Sequence, residues 1–397
     1  MIYERNLDLD EYQKVVDKNE NYGIFKQTEH IYNFFPIGVS IIAVPFVFAG
    51  EYIFELMLYI NPDLKQKLQA EGFTLINITN YYYIVEYFIA SLIAALCAAM
   101  CYLICRRYLD LKHALIITFA FAFCTSLWSV AGRALWMHGP LMLALLVAIY
   151  LVTSDRLNKK KAMWIGLILS FTFIIRPTGL IFFTIFLVYF ITTNRKLALT
   201  YFIAGAVILG GFFLLNLSIY QNILSPYYLY YSNILSGSGF PNFFEAMAGN
   251  LISPGKGLLI FSPVLIFSGI GVYMKIKMKN FSKLDASLLI IFVLYFIAIS
   301  IVTKWWDGWS FGPRYISDVL PILIFFIIPF FKYPKFFKTG THKALTYTFA
   351  VPLIASFLIH SRGALSHKIW KEWNGTPENI DYHPERVWDW DDMPFFR

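Results

Sequence analysis

The sequence predicts an all-α polytopic membrane protein, and three observations support that prediction. Of its 397 residues, 58% are hydrophobic and 15% are charged, whereas soluble domains carry about 25% charged residues. The apolar residues lie in runs of about 17 to 25, which is the length that crosses a bilayer core of about 30 Å. The basic residues gather in alternate loops between these runs. Together these observations exclude a soluble enzyme, a disulfide scaffold and a disordered protein.

About ten apolar runs are predicted to span the membrane as helices. They cover residues 82–105, 113–132, 138–153, 162–175, 178–192, 198–220, 257–275, 286–303, 316–332 and 343–361. The loops on one side of these helices hold seventeen Lys and Arg residues, and the intervening loops on the other side hold five. This asymmetry is the positive-inside pattern. The net charge of +8 therefore orients the helices and does not predict nucleic-acid binding.

Three regions follow from this pattern. Residues 1–80 hold eleven acidic and six basic residues, and we expect them to form a helical outer loop. Within that loop, residues 34–60 are apolar but contain two prolines and two glutamates, which are unfavourable in a lipid-facing span, so this segment is predicted to be interfacial or re-entrant. Residues 81–361 form the membrane domain, in which 221–256 is predicted to be an ordered outer loop. The Trp-rich tail, residues 362–397, is predicted to pack on the outer face; an aromatic belt at the lipid headgroups is the alternative.

Candidate site residues lie at the outer ends of the predicted helices, because membrane helices rarely carry ionisable groups that are neither paired nor used. His138 begins one helix, Arg176 precedes a proline between two short helices, and Lys256 lies in a Gly-rich turn. The densest cluster runs from residue 304 to Asp318. Each candidate also has a structural explanation: Arg176 as an interfacial anchor, His138 as a packing residue, Lys256 as an ordinary loop lysine, and the tryptophans of the cluster as an aromatic belt.

Cations beside aromatic rings suit a sugar that is joined to a phosphate. Arg binds phosphate oxygens through paired donors, and aromatic faces stack on sugar rings. Lys304 is expected to approach Arg314 across a short hairpin, which would place two cations beside one phosphate. Asp307 has three open roles: pairing with Arg314, orienting a sugar hydroxyl, or remaining solvated. The residues predicted to bind the phosphate or the sugar are His138, Arg176, Lys256, Lys304, Asp307, Trp309, Arg314 and Tyr315.

No metal ion or other cofactor is expected from the sequence. Cys97, Cys101 and Cys105 recur on one face of a helix, but no His or carboxylate joins them, so they are predicted to pack between membrane helices. The oxygen-rich ligand cluster that a divalent cation needs is not recognisable either.

Several motifs follow one another along the chain on the predicted outer face. They are Tyr32-Asn-Phe-Phe-Pro36-Ile-Gly38, Arg176-Pro-Thr-Gly, Ser253-Pro-Gly-Lys-Gly, Trp309-Ser-Phe-Gly-Pro-Arg-Tyr315 and Trp388-Asp-Trp-Asp. Their order resembles that of bacterial integral-membrane glycosyltransferases of the GT-C fold, which are related to the protein O-mannosyltransferases and the lipid A aminoarabinose transferase. The resemblance covers nearly the whole chain. It implies inverting transfer from a polyprenyl-phosphate sugar, on the outer side of the bacterial cytoplasmic membrane, with a catalytic Asp in the first outer loop.

The N-terminus departs from this pattern. Such enzymes begin with a membrane helix, and their catalytic Asp soon follows it, whereas residues 6–12 of this chain resemble the loop downstream of that Asp. We therefore expect a first helix, which would bring the total to eleven, and the catalytic Asp to lie upstream of Met1. If the chain is complete, Asp8 or Asp10 is the predicted base, which would deprotonate an acceptor hydroxyl.

Two rival functions stay open at this point. A transporter or flippase of a lipid-linked glycan would have a cation-lined cavity but no chemistry, although no internal repeat of the kind common in transporters is apparent. A non-catalytic membrane assembly subunit would need no catalytic Asp. The expected partners are the bilayer, a polyprenyl-phosphate-linked sugar and an acceptor, which can be a glycan, a lipid or a protein.

Overall fold

The structure is a computed structural model that describes residues 6–18, 23–27, 29–63, 66–67, 79–154, 156–230, 242–336 and 339–397. Most of these residues are helical, and a two-stranded sheet is the exception. The prediction of an all-α polytopic membrane protein is therefore confirmed. Part of the loop predicted to be turn-rich, residues 231–241, lies outside the described residues.

The elements are numbered here in chain order. The N-terminal part contains α1 (Gln13–Lys18), β1 (Ile24–Gln27), β2 (His30–Asn33) and α2 (Gly38–Ile60). The membrane domain contains α3 (Thr79–Arg106), α4 (Leu111–Phe123), α5 (His138–Val152), α6 (Lys159–Ile175), α7 (Gly179–Thr193), α8 (Arg195–Tyr220), α9 (Phe243–Ile252), α10 (Leu258–Phe261), α11 (Ile266–Lys277), α12 (Lys283–Ile301), α13 (Leu320–Lys332) and α14 (Thr339–Leu365). The tail begins with α15 (His367–Gly375).

Each predicted apolar run contains a helix, but two of the runs are divided. The run 113–132 consists of α4 and a π-helical turn at Leu127–Ala131. Between them the Thr125 hydroxyl donates to the Phe121 carbonyl at 2.6 Å, a bond that competes with the helix backbone. The run 257–275 is divided at Pro263, because proline cannot donate the hydrogen bond that would continue α10.

Six of the described helices are long and apolar enough to cross a membrane. They are Gly38–Ile60, Tyr83–Arg106, Arg195–Tyr220, Lys283–Ile301, Tyr315–Lys332 and Tyr347–Leu365. Other apolar helices, such as α5 and α7, are shorter. Several residues of α5 are completely buried and none is exposed, so this helix lies largely inside the bundle.

The described part of residues 1–80 contains a β-hairpin that was not predicted from the sequence, so this part is not entirely helical. Strands β1 and β2 are antiparallel, with Ile24 opposite Asn33. Phe25 and Tyr32 pack edge-on against Tyr220 at the end of α8, with ring centroids 6.4 Å and 5.5 Å from the Tyr220 ring. Strands of four residues are too short to show a clear alternation of polar and apolar residues, which is why the hairpin escaped prediction.

The segment predicted to be interfacial or re-entrant is one continuous helix, α2, of 23 residues. Its first residue packs closely on α6, because a Cβ added at Gly38 would lie 2.7 Å from the Ile175 backbone nitrogen. Its second half exposes large apolar side chains such as Tyr52, Met57 and Ile60. These features fit a helix in contact with lipid, and whether it is interfacial or re-entrant stays a prediction.

A tight connection between α6 and α7 places Arg176 at one end of the bundle. Pro177 cannot continue α6, and Arg176 is extended, with φ −158° and ψ 142°. The two helices then approach closely at Gly179, where an added Cβ would lie 2.4 Å from the Thr172 carbonyl. The Thr172 hydroxyl also donates to the Gly179 carbonyl at 3.1 Å. Arg176 therefore lies at a rigid corner.

The tail packs on the hairpin that follows α12. Trp305 of the hairpin is 2% exposed and belongs to the same apolar cluster as Trp373 and Val387 of the tail. The Gly255 amide donates to the Val387 carbonyl at 3.1 Å, which joins the tail to the loop before α10 as well. The tail therefore helps to fix the loops from which the candidate site is built.

Candidate functional site

A buried carboxylate, that of Asp318, joins several helices at the same end of the bundle as Arg176. Asp318 lies in the 3-10 turn Tyr315–Val319 and is completely buried. Arg176 Nη1 donates to Asp318 Oδ2 at 3.0 Å, and His138 Nδ1 lies 2.5 Å from Oδ1. The Tyr295 hydroxyl of α12 donates to Oδ2 as well. Because these groups converge on one carboxylate, Arg176 and His138 are held in fixed positions.

The hairpin before α13 holds a second arginine. Arg314 Nε donates to Asp307 Oδ1 at 2.6 Å, and Nη2 donates to the Asp307 carbonyl at 2.9 Å. Asp307 is 1% exposed, and its φ of 71° lies in the left-handed region, where non-glycine residues are uncommon. The Ser310 hydroxyl donates to Asp307 Oδ2 at 3.2 Å. Of the three roles open to Asp307, the structure shows pairing with Arg314.

Lys256 fixes the same hairpin from the loop between α9 and α10. Its ammonium nitrogen donates to the Gly308 carbonyl at 2.9 Å, to the Ser310 carbonyl at 2.8 Å and to the Ser310 hydroxyl at 3.0 Å. Burial lowers the pKa of Lys256 to about 7, and the nearby Asp307 opposes this shift. Three acceptors match the three N–H donors of the protonated amine. Lys256 thus positions the hairpin that carries Arg314.

Arg176 and Arg314 line one cavity of about 560 Å³, called here the arginine cavity. The Tyr315 ring lies near both guanidinium groups, with its centroid 5.1 Å from Arg176 Cζ and 5.7 Å from Arg314 Cζ. The described residues of the lining include no carboxylate, since Asp307 and Asp318 lie behind the arginines. The cavity is therefore suited to an anion. Other lining residues are Asn33, Phe34, Phe35, Trp136, His138 and Tyr227.

An apolar groove of about 470 Å³ begins at the same arginine. It runs between α7 and α12, and Leu180 and Leu294 are among the side chains that line it. Arg176 and Tyr227 line both the groove and the arginine cavity. A cationic group therefore lies at the junction of a polar cavity and an apolar groove. Such a junction matches a molecule with an anionic head and a long apolar chain.

Four of the eight predicted binding residues, His138, Arg176, Arg314 and Tyr315, line the arginine cavity. Lys256 and Asp307 hold the hairpin without lining the cavity, and Lys304 and Trp309 lie elsewhere. The Lys304 ammonium is 3.9 Å from Asp381 Oδ1, and its side chain is 60% exposed. Lys304 therefore does not approach Arg314 as predicted. The cation that accompanies Arg314 in the cavity is Arg176. Trp309 donates from its indole nitrogen to Asn379 Oδ1 at 3.2 Å and lines a different recess.

Asp8 and Asp10, the carboxylates predicted to include the base, lie beside the β-hairpin. Asp10 Oδ1 accepts from the Ile31 amide at 2.8 Å, and Oδ2 is 2.6 Å from His30 Nδ1. The hydrogen bond between these two side chains lowers the pKa of Asp10 and raises the pKa of His30. Neither carboxylate lines the arginine cavity, which β2 reaches only at Asn33. Their role as the base stays a prediction.

Two groups of described residues bring His and carboxylate atoms within 4.8 Å of one another, the spacing that a metal ion would require. One is Asp8, Asp10 and His30, and the other is Glu378, His383 and Glu385. In both groups the His is already hydrogen-bonded to a carboxylate, His383 Nδ1 being 3.1 Å from Glu385 Oε1. Neither group lines the arginine cavity, and the expectation of a metal-independent site stays a prediction.

Three residues that shape the site were not among the predicted site residues. Asp318 carried a usable signal, because a carboxylate at the start of an apolar run requires a partner. Tyr295 is one of 26 tyrosines and lies in the middle of an apolar helix, where nothing in the sequence distinguishes it. Trp136 contacts Arg314, with 4.1 Å between Arg314 Cζ and the ring centroid; this contact joins distant parts of the chain and leaves no local pattern.

Comparison with known proteins identifies the fold. No family model and no curated protein sequence matches this chain. In three dimensions the chain is similar to the archaeal oligosaccharyltransferase AglB from Archaeoglobus fulgidus, a GT-C enzyme solved in complex with an inhibitory peptide and a dolichol-phosphate. The TM-score is 0.50 at 13% identity, over 92% of this chain and 53% of AglB, so the chain spans about half the length of that protein. The likeness supports the GT-C fold that the motifs had suggested.

Proposed function

We propose that the protein is a glycosyltransferase that moves a sugar from a polyprenyl-phosphate donor to an acceptor on the outer side of the bacterial cytoplasmic membrane. The observation that carries the proposal is the position of Arg176, where the arginine cavity meets the apolar groove. A polyprenyl-phosphate sugar is divided in the same way, into an apolar chain, an anionic phosphate and a polar sugar. The dolichol-phosphate bound to AglB adds support, because a protein of similar fold binds a lipid of this class.

The two arginines have a chemical role in this proposal beyond binding. During transfer the acceptor oxygen forms a bond to the anomeric carbon, the bond from that carbon to the phosphate oxygen breaks, and the hydroxyl proton moves to a carboxylate base. The phosphate changes from a diester with one negative charge to a monoester with up to two. Because the charge grows along the reaction, Arg176 and Arg314 stabilise the transition state more than the bound donor.

Fixed positions make this stabilisation effective. Asp318 and Asp307 hold the two guanidinium groups before any ligand binds, so little reorganisation is needed when the charge develops. Each arginine also shares its charge with a carboxylate, and a phosphate therefore competes with an existing ion pair. The result is a site of moderate affinity, which suits a donor that must leave as a product after each turnover.

Release of polyprenyl phosphate from the sugar that it carries is the direct test of this function. We would measure its release from a panel of polyprenyl-phosphate sugars, using the full chain in lipid nanodiscs. Arg176→Ala and Arg314→Ala should each lower kcat/KM by about 10- to 150-fold, as expected for one charge-assisted phosphate contact of about 1.5–3 kcal/mol. Arg195→Ala is the matched control, because Arg195 is an exposed arginine at the first residue of α8. Movement of a polyprenyl-phosphate sugar across a vesicle membrane, without release of polyprenyl phosphate, would identify a transporter instead.

We assign the base to the first outer loop, with Asp10 and Asp8 as its candidates in this chain. Replacement of a general base should lower kcat by about 10²- to 10⁴-fold while donor affinity stays unchanged. Asp10→Asn and Asp8→Asn would be compared with Asp17→Asn, an exposed carboxylate in α1. Normal turnover in both variants would exclude these two residues as the base.

A further inference from the structure

A second recess, called here the aromatic recess, lies beside the arginine cavity and has no role in the donor site. It encloses about 180 Å³. Six aromatic side chains from separate parts of the chain line it: Tyr83 and Tyr87 of α3, Trp136 before α5, Trp309 and Phe311 of the hairpin before α13, and Trp370 of α15. Sites that bind small molecules are concave, largely apolar and supplied with a few fixed polar groups. The aromatic recess has the first two of these features.

The polar groups of the recess are also fixed, and their charges balance. Glu86 Oε1 accepts from the Leu135 amide at 3.1 Å, and Arg133 Nη1 donates to the Gly363 carbonyl. Both side chains line the recess. One carboxylate and one guanidinium give no net charge, in contrast to the arginine cavity. The recess is therefore suited to an uncharged ligand with hydroxyl groups that can both donate and accept hydrogen bonds.

The recess adjoins the arginine cavity but not the lipid groove. Trp136 lines both the recess and the cavity, and the recess shares no lining residue with the groove. Ser310 lines the recess, and its hydroxyl donates to Asp307, which in turn holds Arg314. A ligand in the recess would thus lie across one tryptophan from the proposed donor phosphate. The groove and the arginine cavity already provide for each part of the donor, so a second ligand here belongs to the acceptor.

We propose that the aromatic recess binds an uncharged pyranose ring of the acceptor, so that the acceptor is a carbohydrate. The inference rests on the proposed function and names the substrate class of the same site. Pyranose rings present apolar C–H faces that stack on indole and phenol rings, while their hydroxyl groups reach Glu86 and Arg133. A peptide acceptor would need extended main-chain partners, and an acyl chain would leave both charged groups of the recess without a ligand partner.

Binding of simple sugars tests this inference without any knowledge of the natural acceptor. We would record saturation-transfer NMR from the full chain in nanodiscs to the methyl pyranosides of glucose, galactose, mannose and N-acetylglucosamine. At least one glycoside should receive saturation. Tyr87→Ala and Trp370→Ala should weaken its binding by about 2- to 12-fold, the effect of losing one aromatic contact. Tyr382→Ala and Trp390→Ala are the matched controls, because both residues are exposed in the tail, outside the recess.

Binding of polyprenyl phosphate in the same nanodiscs separates this inference from the proposed function. If no glycoside receives saturation while polyprenyl phosphate still binds, the carbohydrate assignment is wrong and the donor site stands. If glycoside binding depends on Arg314 but not on Tyr87 and Trp370, the sugar occupies the arginine cavity and the inference also fails. If neither class of ligand binds to the folded protein, both proposals fall.

Dodecyl glycosides of the same sugars show where the acceptor sugar is carried. Equal binding of dodecyl and methyl glycosides would indicate a free or protein-borne glycan, and tighter binding of the dodecyl form would indicate a lipid-borne one; both results support a carbohydrate acceptor. Binding of the dodecyl form alone would show that the recess recognises the alkyl chain and would overturn the inference. Tyr87→Ala is the more informative variant, since Tyr87 is 40% exposed and its removal should leave the fold intact.

Discussion

The two arginines of the cavity are held in different ways. Arg176 is held by Asp318, which lies 142 residues further along the chain, and by Tyr295 on a third element. Arg314 is held by Asp307, only seven residues before it, in a hairpin that Lys256 ties down. The position of Arg176 therefore depends on how the helices pack, and that of Arg314 depends on the backbone of one loop. It follows that the two halves of the site should respond differently to mutation.

The largest effect is expected at the buried carboxylate. Asp318→Asn leaves the charge of Arg176 without its partner inside the bundle, and breaking a buried pair in this way costs about 3–5 kcal/mol. The free energy of unfolding in nanodiscs should fall by about that amount. Asp391→Asn, which changes an exposed carboxylate of the tail, should have almost no effect. Equal stability of the two variants would show that Asp318 does not organise the helix ends.

Exchange of arginine for lysine sharpens the comparison between the two positions. Arg314→Lys loses the planar guanidinium group that donates to both the side chain and the carbonyl of Asp307. Affinity for polyprenyl phosphate should therefore fall by about 10-fold or more, with little change in the free energy of unfolding. Arg176→Lys should lower both affinity and stability, because its partners are buried. Isothermal titration and denaturation of the same preparations measure the two quantities. A stability loss that is larger at Arg314 than at Arg176 would reverse the assignment.

The helices were more predictable than the contacts between them. Runs of apolar residues locate a helix because every residue of the run contributes to the signal, and the predicted runs each contain one. The hairpin β1–β2 has only four residues in each strand and gives no such signal. Likewise, the rule that ionisable groups gather at helix ends identified Arg176 and Arg314 as candidates. Pairing with Arg314 was one of the roles predicted for Asp307, which lies seven residues away. The partner of Arg176 could not be predicted in the same way, because the contact from Arg176 to Asp318 depends on tertiary packing.

The error concerning Lys304 has a similar origin. Its position in the sequence, ten residues before Arg314, suggested that the two cations face each other across a hairpin. The hairpin instead turns through left-handed residues at Asp307, Gly308 and Gly312, which direct Lys304 toward Asp381 of the tail. Sequence spacing alone does not specify such turns, and the tail that receives Lys304 is distant in the chain.

A smaller effect is expected from the titration of Lys256. Its pKa is about 7 in the folded protein against about 10.4 in an unfolded chain, so between these values the unfolded chain binds more protons. Stability should therefore rise as the pH increases from about 7 towards 10. Lys256→Met should remove this part of the pH dependence, and Lys196→Met, at an exposed lysine, should keep it. Unfolding measured at pH 7, 8 and 9 gives the slopes, and identical slopes in all three proteins would contradict the assignment.

The smallest effect is expected at the exposed pair of Asp10 and His30. Because the pKa of His30 is raised, its contribution to the stability of the hairpin is complete below the ordinary His pKa and is lost as the pH rises through the raised value. The lowered pKa of Asp10 means that its contribution is lost as the pH falls through the lowered value. The Ile31 amide donates to Asp10, so its protection from hydrogen exchange, relative to the intrinsic rate at each pH, should be greatest between these limits. Unchanged exchange in Asp10→Asn would show that this pair does not order the hairpin.

The preference for a phosphate over an alcohol at the head of the same lipid tests the central claim most directly. We would measure the Kd of polyprenyl phosphate and of polyprenol for the wild type, Arg314→Ala, Arg176→Ala and the control Arg195→Ala. For each arginine that contacts the phosphate, the wild type and the control should bind polyprenyl phosphate about 10- to 150-fold more tightly than polyprenol. Each cavity variant should lose one such factor, while its affinity for polyprenol stays the same. An equal preference for the phosphate in all four proteins would contradict the claim that Arg176 and Arg314 bind the head of a lipid whose chain lies in the adjoining groove.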